Sequence, residues 1–69
     1  MTDMNVYLNG YREARVRVES DDKEALRKEF AEFLSYELDR EVDVAELIYE
    51  EYQGWVYRNG DTEWSFEED

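Results

Sequence analysis

Sixty-nine residues carry 20 Asp and Glu against 8 Lys and Arg, a net charge of −12 at pH 7, with no histidine, cysteine or proline. A chain this short buries only about 60% of its unfolded surface, so a single domain over 1–69 is expected, and its charge exceeds the magnitude of roughly 2–8 usual for a small domain. This composition excludes disulfides, thiol chemistry and the usual zinc sites and disfavours direct nucleic-acid binding, while the 6 Tyr, 3 Phe and 2 Trp argue against a disordered acidic chain.

The opening residues Met1-Thr2-Asp3-Met4 lack the basic start and apolar stretch of a signal peptide. No run approaches the ~18–20 apolar residues of a membrane span, so a cytoplasmic protein without membrane contact is expected. Asn9-Gly10 separates 5–8 from 12–18, and Asn-Gly supplies the positive φ angles of a tight turn, predicting a hairpin over 5–18. Ala14, Val16 and Val18 alternate with Glu13, Arg15, Arg17 and Glu19, giving one packed face and one face of mixed charge. Ser20-Asp21-Asp22 offers N-cap oxygens, Glu24 follows Asp21 as in a capping box, and Leu26, Phe30, Phe33, Leu34 and Leu38 recur at helical spacing. An amphipathic helix over 21–39 follows. Glu37 falls within its apolar stripe, so either the helix has passed the edge of the core there or a partner cation reaches it, the first being the favoured reading.

Asp43 and Glu46 repeat the capping pattern, Val44, Leu47, Ile48 and Tyr52 keep helical spacing, and Gly54 suits a C′ position, predicting a second helix over 43–53. The β-branched and aromatic residues of 47–52 favour a strand there instead. Asn59-Gly60 predicts a last hairpin over 55–66. The fold class is therefore α+β, with β-hairpins at both ends packed against a central amphipathic helix. The expected core is Val6, Leu8, Val16, Val18, Leu26, Phe30, Phe33, Leu34, Leu38, Leu47, Ile48, Val56 and Trp64.

No catalytic, cofactor or metal site emerges. An EF-hand loop needs a glycine that 39–43 lacks, and Asn59-Gly60-Asp61-Thr62-Glu63 uses the letters of a hairpin turn. Ser20, Ser35 and Ser65 have no histidine to activate them, no phosphate-binding glycine loop exists, and paired carboxylates need a cleft that so small a core scarcely makes. The expectation is a protein that is not an enzyme and takes no cofactor or small-molecule substrate.

The charge is unevenly divided: residues 1–18 sum to +1, residues 19–51 to −9 and residues 52–69 to −4. Crowded carboxylates predict folded-state pKa values raised by repulsion, hence stability that grows as pH falls from 7 toward about 5. Asp21, Glu24, Glu29, Glu32 and Asp39 project opposite the apolar stripe, and carboxylates three or four residues apart on a helix stand roughly 5–6 Å from one another, of the order of phosphate spacing along a strand. A charge run is most often simply a solvated face. Very short, acidic, cysteine-free and aromatic-rich, the chain resembles in composition the small phage-encoded inhibitors of host defence, the anti-CRISPR and anti-restriction DNA mimics. That resemblance implies a partner protein with a basic nucleic-acid-binding groove, in the host cytoplasm if the chain is phage-encoded. The candidate partner-binding residues are Glu24, Glu29, Glu32, Asp39, Glu46, Glu50 and Glu51. Two other readings stand beside it: a halophilic domain, and an adaptor that binds a protein through Trp55, Tyr57 and Trp64 on its last hairpin.

Overall fold

The computed structural model describes residues 1–69 as a small α+β fold with a five-stranded antiparallel sheet and one α-helix. Strand β1 (Thr2–Leu8) turns through Asn9 and Gly10 into β2 (Tyr11–Val18). Both turn residues take positive φ, 51° and 88°, as a type I′ turn demands. The register slips between Val6↔Ala14 and Tyr7↔Arg12, leaving Glu13 as the extra residue of a bulge beside the turn. The hairpin starts three residues earlier than the turn signal alone suggests, because Thr2, Met4 and Val6 continue one buried face with period two.

Helix α1 spans Lys23–Leu38. Its expected Asp21–Glu24 capping box does not form: Asp21 accepts a hydrogen bond from the Thr2 hydroxyl, Glu24 pairs with Arg27, and the Asp22 amide donates to Ser20 Oγ. Asp39 closes the helix in the left-handed conformation, φ 53°. Ser35 then fixes the exit, its hydroxyl donating to the Ala31 carbonyl at 2.9 Å and accepting from the Val42 amide at 2.8 Å.

The second helix expected over 43–53 is corrected by the structure. The Asp43–Glu46 capping box is present but opens only a 3-10 turn, Val44–Glu46, after which Leu47 is extended at φ −79°, ψ 144°. Strand β3 (Ile48–Glu50) follows, a turn through 51–53 leads to β4 (Gly54–Asn59), and β5 (Thr62–Glu68) ends the chain's last hairpin. Pairing of Ile48 with Val56 and Tyr49 with Trp55 outweighs the cap, as sheet propensity in this segment allows. Gly54 does take positive φ, 78°, but as the residue that closes a hairpin turn. Likewise the final turn is centred on Gly60 and Asp61, since Asn59 pairs with Thr62 and only Gly60 of the turn has positive φ.

The sheet order is β2-β1-β5-β4-β3, so the first and last strands lie side by side at its centre. Leu26, Phe30, Ala31 and Leu34 bury the inner stripe of α1, with the Phe30 ring 4.7 Å from Phe66 and Phe33 edge-on to Trp64 at 6.1 Å. Burying each large side chain contributes about 1.5–3 kcal/mol, which is what holds helix to sheet. Ile48 is not in the core but 47% exposed, because it stands on the edge strand, whereas its partner Val56 on β4 has a strand on either side and is fully buried. Met4, Ala31, Val42 and Tyr57 are buried instead.

Candidate functional site

Alternation along the strands sorts the charged residues onto two surfaces. On the sheet face away from α1, Arg17 Nε donates to Asp3 at 3.0 Å, Arg15 reaches Asp3 at 3.1 Å and Asp69 at 2.6 Å, and Tyr7 OH donates to Glu67 at 3.3 Å. Across the same face Arg58 pairs with Glu50 at 2.7 Å and Glu63 at 2.8 Å. Arg17, with Arg15 beside it, holds the Asp3 carboxyl below the usual carboxylate range, and Arg17 is raised in turn. The Thr2 hydroxyl and the chain's amino terminus lower Asp21 as well. The displaced carboxylates thus move opposite to the crowding expectation, since each has a donor or a cation beside it.

Most helix-layer cations have a carboxylate or a ring as partner. Arg27 bridges to Glu24 at 2.8 Å with its guanidinium 4.5 Å over Trp55, Arg40 lies 5.6 Å over Tyr57 and 3.6 Å from Glu46, and Lys23 reaches Glu68 at 2.8 Å. Arg12 and Lys28 make no ion pair.

Among the candidate residues, Glu29, Glu32 and Asp39 also make none, and they share the outer side of α1 with Tyr36, which is 86% exposed. Their spacing of three, four and three residues sets the four side chains in one stripe. A shallow depression between the end of β2 and α1 is lined by Glu19, Glu29 and Glu32 together with Arg17 and Lys28; no sequence spacing signals this, because the strand and helix meet only in the fold. Glu37 is exposed and unpaired, past the core edge as its position suggests.

The other candidates do not join that stripe. Glu24 is held by Arg27, Glu46 accepts the Asp43 amide and approaches Arg40, Glu50 lies on the opposite side of the molecule against Arg58, and Glu51 stands in the β3–β4 turn. Tyr57 and Trp64 are buried and Trp55 half-buried, so the last hairpin's aromatics pack the core. No three carboxylates converge to hold a metal ion. No helix is long and apolar enough to cross a membrane. Comparison with protein-family models, curated proteins and solved structures finds no match to the chain.

Proposed function

We propose that the protein is a binding inhibitor of the DNA-mimic kind, offering the outer face of α1 to the basic nucleic-acid groove of a protein partner. The observation that carries this reading is the stripe of Glu29, Glu32 and Asp39 around Tyr36, all three acids unpaired, Glu32 and Asp39 exposed and Glu29 half-buried, in a chain whose cations are mostly engaged elsewhere. Opposite potentials accelerate the encounter and fix its orientation, and Tyr36 adds an aromatic contact of the type that concentrates binding energy.

Duplex DNA on beads, loaded with DNA-binding proteins from a host lysate, tests it. The wild-type protein should elute its partner. Reversing Glu29 and Glu32 to lysine should abolish elution, whereas reversing Glu13 in the β2 bulge and Asp61 in the last turn, both exposed and unpaired, should not, although each pair changes the charge from −12 to −8. Equal losses would reduce the effect to bulk charge, and no loss from either would remove α1 from the interface.

A further inference from the structure

The dipeptide Asn-Gly occurs at two turns of the chain, as Asn9-Gly10 and as Asn59-Gly60, and the fold holds the two differently. Asn-Gly is chemically labile, because glycine sets no side chain in the way of its own amide nitrogen, the atom that attacks the preceding asparagine side chain. Attack requires the asparagine to rotate until that nitrogen meets its Cγ, which an ordered turn prevents. Reaction therefore proceeds from the opened turn, at a rate set by how often the turn opens.

Asn9 is clamped from outside its own hairpin. Its backbone amide donates to the Glu63 carbonyl at 2.8 Å, and its Oδ1 accepts the Glu63 amide at 2.9 Å. Freeing Asn9 for attack breaks both bonds to β5. Asn59 has no such clamp: it is exposed, its side chain makes no hydrogen bond, and its carbonyl accepts the hydroxyl of Thr62, its own turn partner, at 2.7 Å. Pairing between β3 and β4 ends at Ile48 opposite Val56, so the last residues of β4 have a strand on one side only.

We propose that Asn59 is a site of spontaneous covalent modification, losing its side-chain amide through the Gly60 nitrogen with water as the co-reactant, while Asn9 is preserved by its bonds to β5. The Gly60 amide gives its proton to solvent, its nitrogen bonds to Asn59 Cγ, and the Cγ–Nδ2 bond breaks to release ammonia and close a five-membered imide. Water then adds to one imide carbonyl and the bond from that carbonyl to the Gly60 nitrogen breaks. Opening at Cγ leaves an ordinary aspartate; opening at the backbone carbonyl leaves the chain running through the side chain, one carbon longer. Either product exchanges a neutral amide for a carboxylate, with the ammonia leaving as ammonium, and takes the net charge from −12 to −13. The new charge stands in the turn with Asp61, next to Arg58 and its partner Glu63. The site is separate from the outer face of α1 and stands without it.

The test incubates the full chain at mildly alkaline pH and follows it by tryptic digestion and mass spectrometry. Cleavage after Arg12 and Arg58 puts the two sites in separate peptides, 1–12 and 59–69, and fragmentation separates Asn9 from Asn5. The amide-to-acid mass gain should build up at Asn59 about tenfold faster than at Asn9, a factor that corresponds to about 1.4 kcal/mol, within what two hydrogen bonds supply. In concentrated urea the two sites should react at nearly the same rate, because the clamp on Asn9 is lost with the fold. Thr62→Val, which removes the hydroxyl bond to Asn59, should speed Asn59 about threefold and leave Asn9 unchanged. Equal rates in the native chain, a faster Asn9, no gain at native Asn59 where the urea sample reacts, or an advantage of Asn59 that persists undiminished in urea would each overturn the proposal.

Discussion

On the open side of the sheet, Arg17, Asp3, Arg15 and Asp69 form a continuous chain of ion pairs and Glu50, Arg58 and Glu63 a second, whereas on the outer side of α1 Glu29, Glu32 and Asp39 make no ion pair. Register explains the first region. Antiparallel pairing sets Asp3 opposite Arg17 and Arg58 opposite Glu63, within the roughly 4.5–5.5 Å at which cross-strand side chains interact. On the helix the neighbours that could neutralise Glu29 and Glu32 sit three or four residues away, and only Lys28 among them is basic; it forms no ion pair. A net of −12 therefore does not describe a uniform surface: one face is nearly neutralised by its fold, and the other keeps its field.

The most drastic way to break the comparison is to part the two layers. Phe30→Ala should cost about 3–5 kcal/mol. That is comparable with the whole of the roughly 3–5 kcal/mol a core of this size supplies, so circular dichroism at 25 °C should show a largely unfolded chain.

Next in size is the loss of the charge that neutralises the sheet face. Asp3→Asn leaves Arg15 and Arg17 without their shared partner and should lower the melting temperature at neutral pH. The pH profile supplies the sign. Because the Asp3 and Asp21 carboxyls are held below their unfolded value near 3.9, their contribution is fully present above that value and is lost as pH falls through the folded ones. Wild-type melting temperatures should therefore drop below about pH 4. In Asp3→Asn this acid-side drop should be shallower, and a variant as acid-sensitive as the wild type would deny the pairing its role.

On the other face the sign reverses and the effect shrinks. Glu29→Gln with Glu32→Gln removes a like-charge pair worth a few tenths of a kcal/mol, so urea melts at low salt should show a slight gain. The wild type should close that gap as salt screens the repulsion. A clear loss of stability would mean that these carboxylates have folded-state partners.

Much of the backbone is legible in the sequence because local chemistry and tertiary packing agree there. Asn9-Gly10 turns where its φ preferences require, and the stripe through Leu26, Phe30 and Leu34 buries one side of a helix. Residues 43–53 are where they disagree: the Asp43–Glu46 box is a true local signal, yet the strand that Ile48 and Tyr49 complete against β4 stops the helix after one turn. Thr2 and Met4 hide in a polar-looking start whose alternation shows only when counted from residue 2. The acid stripe is legible as far as helical spacing reaches, through Glu29, Glu32 and Asp39. What spacing cannot show is which acids are neutralised from elsewhere, and so Glu24, Glu46 and Glu50 read as equivalent to Glu32 although Arg27, Arg40 and Arg58 stand beside them.

The most direct measurement compares the two faces by their near-surface potential, read residue by residue from amide relaxation caused by cationic and by anionic nitroxide cosolutes. Amides of 28–40 should be relaxed far more by the cationic probe than by the anionic one, while those of 3–7 and 12–17 should show little difference between the two. A uniform preference for the cationic probe over both regions would contradict the division of charge between sheet and helix.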